Sequence, residues 1–230
     1  MKKNILLVPG AWMGDWIWKA LKDNLNQLNY NAYSITLSGL TQQSENKDAG
    51  LQTHVNDVKS FIEQKQLKDV ILVGHSYSGF VIVQVADQMP ENITKLVFIE
   101  SFLPTNGQNL LRAAGLNVEK ENQAIANNNG KWPLPTVREL KQETHLTAQM
   151  VEYLSQNLMD HPAKSVQEVA VIGAKNIGIP SFFIGGRFSP SAEQKLLYGD
   201  IAFHELDGGH WPMLTELEKL TKILDVITST

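Results

Sequence analysis

A serine flanked by small residues and a histidine that follows two glycines are the pair in this chain best suited to chemistry, as a nucleophile and its base. The run Val70-Ile71-Leu72-Val73-Gly74-His75-Ser76-Tyr77-Ser78-Gly79-Phe80-Val81-Ile82-Val83 reads as strand, tight turn and helix in one window, the local order a nucleophile elbow needs. A serine at the tip of such a turn has strained backbone, so the residues two positions away must be small. Gly74 and Ser78 meet that condition; Ser78 replaces the second glycine of G-x-S-x-G, and Gly79 follows it. A helix beginning after Ser76 would aim its free amides and positive dipole end at any oxyanion formed there. Glycine-serine turns between strands and helices also occur for packing alone. The apolar strand before this one and the apolar helix after it favour the chemical reading. A phosphate loop fits less well, because neither G-x-x-x-x-G-K-[ST] nor G-x-G-x-x-G occurs at the turn.

A serine hydroxyl is a weak nucleophile until a base takes its proton. Of the six histidines, His210 in Gly208-Gly209-His210-Trp211-Pro212-Met213 is best placed, on a loop directly after a strand ending near Leu206. The glycines let the chain turn back over the sheet, and Pro212 suits the start of a final helix over 213–227. His75 is expected to pack beside the elbow, His54, His145 and His161 to be surface or cap residues, and His204 to be structural. The second oxyanion donor should come from the loop after the first strand, Pro9-Gly10-Ala11-Trp12-Met13-Gly14, so the amides of Ala11 and Tyr77 are the expected pair. Trp12 is a candidate pocket wall. Trp16 and Trp18 sit at helical spacing and read as core.

These residues need a scaffold, and short apolar runs alternating with helical-period segments supply one. Strands are expected at 4–8, 70–73, 95–99, 181–184 and 202–206, with nearly continuous apolar character that suits central parallel strands covered on both faces. Helices are expected over 16–28 and 53–64, where apolar residues recur at three- and four-residue intervals. The implied class is α/β, a mostly parallel sheet with helices on both faces. From 104 to 178 the rhythm changes, with Asn127-Asn128-Asn129-Gly130 as a loop and Trp132-Pro133-Leu134-Pro135 as a helix breaker. About 75 residues without a clear strand is too long for an ordinary connection. They read as an inserted helical cap, with helices near 109–114, 136–143, 147–157 and 165–172, on a core of 1–103 and 179–230. The alternative is further crossover helices.

Composition narrows the partner. The 230 residues contain no cysteine, which excludes a disulfide scaffold, a thiol nucleophile and any cysteine-ligated metal, and is consistent with a cytoplasmic protein. Twenty basic against 24 acidic residues give no electrostatic footprint for nucleic acid or an anionic membrane. Met1-Lys2-Lys3 is followed by an apolar run that stops at Pro9-Gly10, so it reads as a first strand rather than a leader. A small molecule is the expected partner, and a homodimer stays open.

The segments VPGAWMGDWIW, GHSYSG, LVFIESFLP and GGHWPMLTE, in this order, resemble the α/β-hydrolase superfamily, and within it the branch of plant methylesterases, hydroxynitrile lyases and bacterial salicylate-esterase-like proteins. The resemblance spans most of the chain, thinly over 104–178. It implies the α/β-hydrolase fold and a serine hydrolase with no metal or other cofactor. Two departures stand out. The usual His-Gly after the first strand is Pro9-Gly10, and the G-x-x-D turn that supplies the triad acid is matched by Gly186-Arg187-Phe188-Ser189-Pro190, with no carboxylate.

Some relatives carry the acid after the strand that follows the nucleophile helix, where Glu100 stands here. A charge ending an apolar strand needs a partner, and His210 is one candidate; a rim or ion-paired role is the other. Asp207, Ser189 and Glu193 are weaker alternatives. The expectation is therefore an esterase acting on a small ester or lactone: Ser76 as nucleophile, His210 as base, Glu100 as acid, and Trp12, Trp132 and Trp211 around the substrate. Two rivals remain. A hydroxynitrile lyase would be expected to carry lysine where Trp211 stands, and a ligand sensor would explain the missing acid.

Overall fold

The alternation of neighbouring side chains along the strands decides how the chain layers. In the computed structural model, which describes residues 2–41 and 48–230, β1 (Asn4–Val8) sends Ile5 and Leu7 to one face and Leu6 and Val8 to the other, and all four are fully buried. Each face then needs helices. One is covered by α1 (Lys19–Gln27) through Leu21 and Leu25. The opposite face is covered by α2 (Leu51–Gln64) through Val55, Val58 and Ile62. Burying each such aliphatic side chain contributes about 1.5–3 kcal/mol, so the double cover is what makes a parallel sheet stable.

The other principal strands are β2 (Asn31–Ser34), β3 (Val70–His75) and β4 (Ile93–Ile99). Helix α3 (Gly79–Gln88) connects β3 to β4 and is buried on nearly every side. Residues 104–178 then fold into α4 (Leu110–Ala113), α5 (Val118–Asn127), α6 (Val137–Leu140), α7 (Ala148–Asn157) and α8 (Ala163–Gln167). A two-residue antiparallel ladder, β5 (Lys131–Trp132) with β6 (His161–Pro162), ties them together. The chain re-enters the sheet with β7 (Ser181–Gly185), α9 (Ala192–Tyr198) and β8 (Ile201–Glu205). It ends in α10 (Pro212–Thr215) and α11 (Leu217–Ser229), split at Glu216 where a single final helix was expected. No helix among the described residues is long and apolar enough to cross a membrane.

Three elements escape the pattern reading. Strand β2 is the polar tetrapeptide Asn-Ala-Tyr-Ser at the sheet edge, with one buried residue in four. Helix α5 buries just Ile125, so its apolar stripe is too sparse to register. The third, α9, begins with a capping box between Ser191 and Gln194. The box fixes its N-terminus, and its apolar face is short, with Leu197 and Tyr198 buried.

The six long strands run in the order β2-β1-β3-β4-β7-β8, all parallel. Register aligns their C-terminal ends, with Val8 opposite Gly74, His75 opposite Ile99 and Gly185 opposite Glu205. The loops that follow them therefore leave from one edge. From β1 the chain crosses to β2 on one side, and from β3 to β4 on the other. The crevice between the loops after β1 and β3 is the switch point where ligands bind in open α/β sheets.

Candidate active site

Ser76 occupies that crevice with φ +51°, left-handed backbone that a non-glycine residue adopts only when its surroundings enforce it. The enforcement is visible. Its carbonyl oxygen accepts from the Ser101 hydroxyl at 2.6 Å and the Phe102 amide at 3.3 Å. A side chain at Gly74 would press on Ile82 and the Ser78 carbonyl, and one at Gly79 would lie 1.9 Å from the Phe102 carbonyl oxygen. The tight approach of β4's exit to the elbow thus falls on Gly79, one residue beyond the motif position. That leaves Ser78 room for a buried hydroxyl, which donates to the Pro9 carbonyl and joins the elbow to the loop after β1.

On that loop Ala11 is buried, and its amide enters no hydrogen bond among the described residues. Gly10 admits the elbow, since a side chain there would meet His75 Nδ1 at 2.8 Å and Ser76 Cβ at 3.0 Å. Tyr77, the other expected donor, follows Ser76 and is also buried.

His210 comes to the same edge on the loop after β8. Its carbonyl oxygen accepts from His75 Nε2 at 2.7 Å, and the two rings lie 4.8 Å apart, so the residue beside Ser76 holds the histidine loop. That bond makes Nε2 the protonated nitrogen of His75. Its Nδ1 is left without a partner, buried beside Gly10. Burial pushes the His210 imidazole down to about 4, so the ring is neutral and a proton acceptor at ordinary pH. Among the described residues neither the Ser76 hydroxyl nor the His210 ring has a hydrogen-bond partner. Catalytic hydrogen bonds commonly tighten only with substrate.

Glu100 is not brought to that ring. It sits at the end of β4 with φ +42°, and its Oε1 accepts the Gly186 amide at 2.7 Å. The left-handed turn directs the side chain across the ends of β4 and β7 onto the very loop that lacks the usual aspartate. Burial raises its pKa, the Gly186 hydrogen bond opposes the rise, and nearby Asp207 and Glu143 add to it. Asp207 is turned outward and pairs with His145 Nε2 at 3.1 Å, while Ser189 and Glu193 are exposed.

The tryptophans divide. Trp12 and Trp132 pack with ring centroids 4.3 Å apart and help line a cavity of about 340 Å³, which neither Ser76 nor His210 lines. Trp132 Nε1 donates to Glu121. Trp211 is buried beside His210, 5.0 Å between rings, with its indole nitrogen unpaired. His54 and His161 are completely buried and hydrogen-bonded. A surface position for His54 was thus misjudged, because α2 turns it toward Tyr77 rather than outward. No group of three or more His, Asp or Glu residues is placed to hold a metal ion among the described residues.

Comparison with known proteins agrees with this fold. A sequence model described as the alpha/beta hydrolase family matches residues 5–221. The carbendazim hydrolyzing esterase of Nocardioides sp. (strain SG-4G) is 38% identical over 110 residues, covering 47% of this chain and 46% of that protein. The alpha-hydroxynitrile lyase of Arabidopsis thaliana is 35% identical over 109 residues, 45% of this chain and 41% of its own. These matches span less than half the length of the curated relatives. Among solved structures, an extracellular alpha/beta-hydrolase from a Paenibacillus species, described as sharing structural and functional homology with tobacco salicylic acid binding protein 2, superposes with TM-score 0.83. It is 22% identical and covers 96% of this chain and 97% of that one.

Proposed function

We propose that this chain, which belongs to the alpha/beta hydrolase family, hydrolyses a small carboxylic ester or lactone through an acyl-enzyme on Ser76. The observation that carries the reading is the strained Ser76 at the sheet's switch point, facing a loop whose Ala11 amide is unspent, with His210 anchored to the adjacent His75. Ser76 Oγ attacks the carbonyl carbon as the His210 imidazole takes its proton. The Ala11 and Tyr77 amides receive the oxyanion, each such donor being worth about 3–4 kcal/mol in the transition state. The C–O bond to the alcohol then breaks, and His210 returns the proton to the leaving oxygen. Water repeats the sequence on the acyl group, regenerating the serine.

The acid position differs from the full triad. Glu100 is engaged with Gly186, so we assign it to holding the 185–186 turn against β4. The imidazolium then relies on the adjacent oxyanion rather than on a carboxylate. Residues 104–178 act as a cap, and Trp211 packs behind the histidine. Trp211, where a lyase of this branch would carry lysine, weighs against cyanohydrin cleavage.

The test is a fluorophosphonate probe with a turnover screen over short esters, aryl esters, lactones and cyanohydrins. Labelling and hydrolysis are expected for the parent protein, and Ser76→Ala should abolish labelling and cut turnover by at least about 10³-fold. A parent protein that neither labels nor shows a burst would overturn the reading in favour of a ligand sensor.

A further inference from the structure

Beneath the oxyanion loop lies a second group of polar side chains that the reaction does not use. Trp12, next to Ala11, has φ +66°, strained backbone in a bulky residue. Both of its backbone polar groups are held by the segment leading into β6: the Met159 amide donates to the Trp12 carbonyl at 2.9 Å, and the Trp12 amide donates to His161 Nδ1 at 3.2 Å. A backbone amide can only donate, so His161 Nδ1 carries no proton. Its Nε2–H therefore donates to Ser165 Oγ at 2.8 Å, and that hydroxyl passes its own hydrogen to the Pro162 carbonyl at 2.7 Å.

The same logic fixes His54. Its Nε2 faces the Ser38 carbonyl at 2.9 Å and must donate, so Nδ1 accepts from the Tyr77 hydroxyl at 2.8 Å. The Tyr77 and His161 rings are 4.9 Å apart and His54 and His161 5.6 Å. All four side chains are at most 1% exposed, and none has a buried polar atom without a partner. A polar network this deep stabilises a fold no better than apolar packing would, but when fully satisfied it specifies one arrangement.

We infer that His161, with Ser165, Tyr77 and His54, is a positioning array that sets the two oxyanion donors in register, so that residues from the 104–178 segment fix transition-state geometry as well as any substrate pocket. One end of the array grips the backbone of residue 12, beside the Ala11 amide. The other grips the side chain of Tyr77, whose own amide is the second donor. Losing the His161 acceptor releases Trp12 from its strained conformation and lets the Ala11 peptide rotate. The inference rests on the esterase reading and deepens it.

The test uses the full chain with His161→Leu and His161→Asn, the asparagine oxygen reaching the place of Nδ1. With a p-nitrophenyl ester, His161→Leu should lower kcat about 10- to 100-fold with KM within about threefold, a partial loss of one donor. His161→Asn should recover at least tenfold of that loss, and phosphonylation of Ser76 should follow kcat. Equal kcat in the parent and the leucine variant, or equal losses in both variants, would overturn the array. A parent protein that leaves the probe untouched would instead overturn the esterase reading itself. Should the leucine variant not fold, nitrogen-15 NMR of the parent decides: Nε2–H tautomers are expected at both His54 and His161, and an Nδ1–H tautomer at His161 refutes the inference.

Discussion

The His210 imidazole sets a number that a pH profile can read. The acid limb of kcat/KM reports the essential base in the free enzyme. An imidazole pushed to about 4 by burial, with no carboxylate on its ring, places that limb far below the ordinary histidine value of about 6.5. At pH 5, roughly nine-tenths of such a base is neutral, against roughly 3% for an unperturbed one, a difference of about 30-fold in rate. The profile of ester hydrolysis should therefore stay nearly flat from pH 7 to 5 and halve only near 4. Stability must be kept apart from this. For His210, His75, His54 and His161 the folded pKa is depressed below the unfolded one. The unfolded chain thus binds more protons as pH falls, and the stability that these groups contribute above about 6.5 is lost progressively down to their folded values. Initial rates should be taken in the first seconds after a pH jump, with circular dichroism showing the chain still folded. An acid limb centred at 6.5 or above in folded protein would mean a carboxylate reaches His210, and the account of an unpaired imidazole would be wrong.

Two further outcomes follow from the same geometry. Glu100→Gln keeps an oxygen able to accept from Gly186, so kcat should stay within about tenfold of the parent; a loss approaching 10⁴-fold, the scale for a true triad acid, would return Glu100 to the triad. Ser78→Gly makes the elbow match the G-x-S-x-G motif more closely but strips the buried Pro9 carbonyl of its donor. Chemical denaturation should show a loss of about 1–3 kcal/mol, and an unchanged midpoint would mean that the hydroxyl is dispensable.

What could be read from the chain depended on how far apart the interacting residues are. The strand, turn and helix around Ser76 form one continuous window, where local sterics alone demand small residues, so both the elbow and its departure at Ser78 were visible. The apolar runs of β3, β4 and β7 were legible for the same reason. β2 was not, because an edge strand with one buried residue carries no pattern. The partner of Glu100 is an amide 86 positions away, and a backbone amide has no sequence signature. His161 grips Trp12 across 149 residues, and His54 meets Tyr77 across 23. Their signal lay in the cost of burial. Burying a histidine away from a site loop is costly unless its ring nitrogens find partners, as those of His54 and His161 do, and at His161 one such partner is the amide of the strained Trp12. Ser76 and Trp12 are both held in left-handed conformations, Ser76 by Ser101 and Phe102 at the exit of β4 and Trp12 by Met159 and His161, so the positioning array acts on the elbow from the Ala11 side, through residue 12.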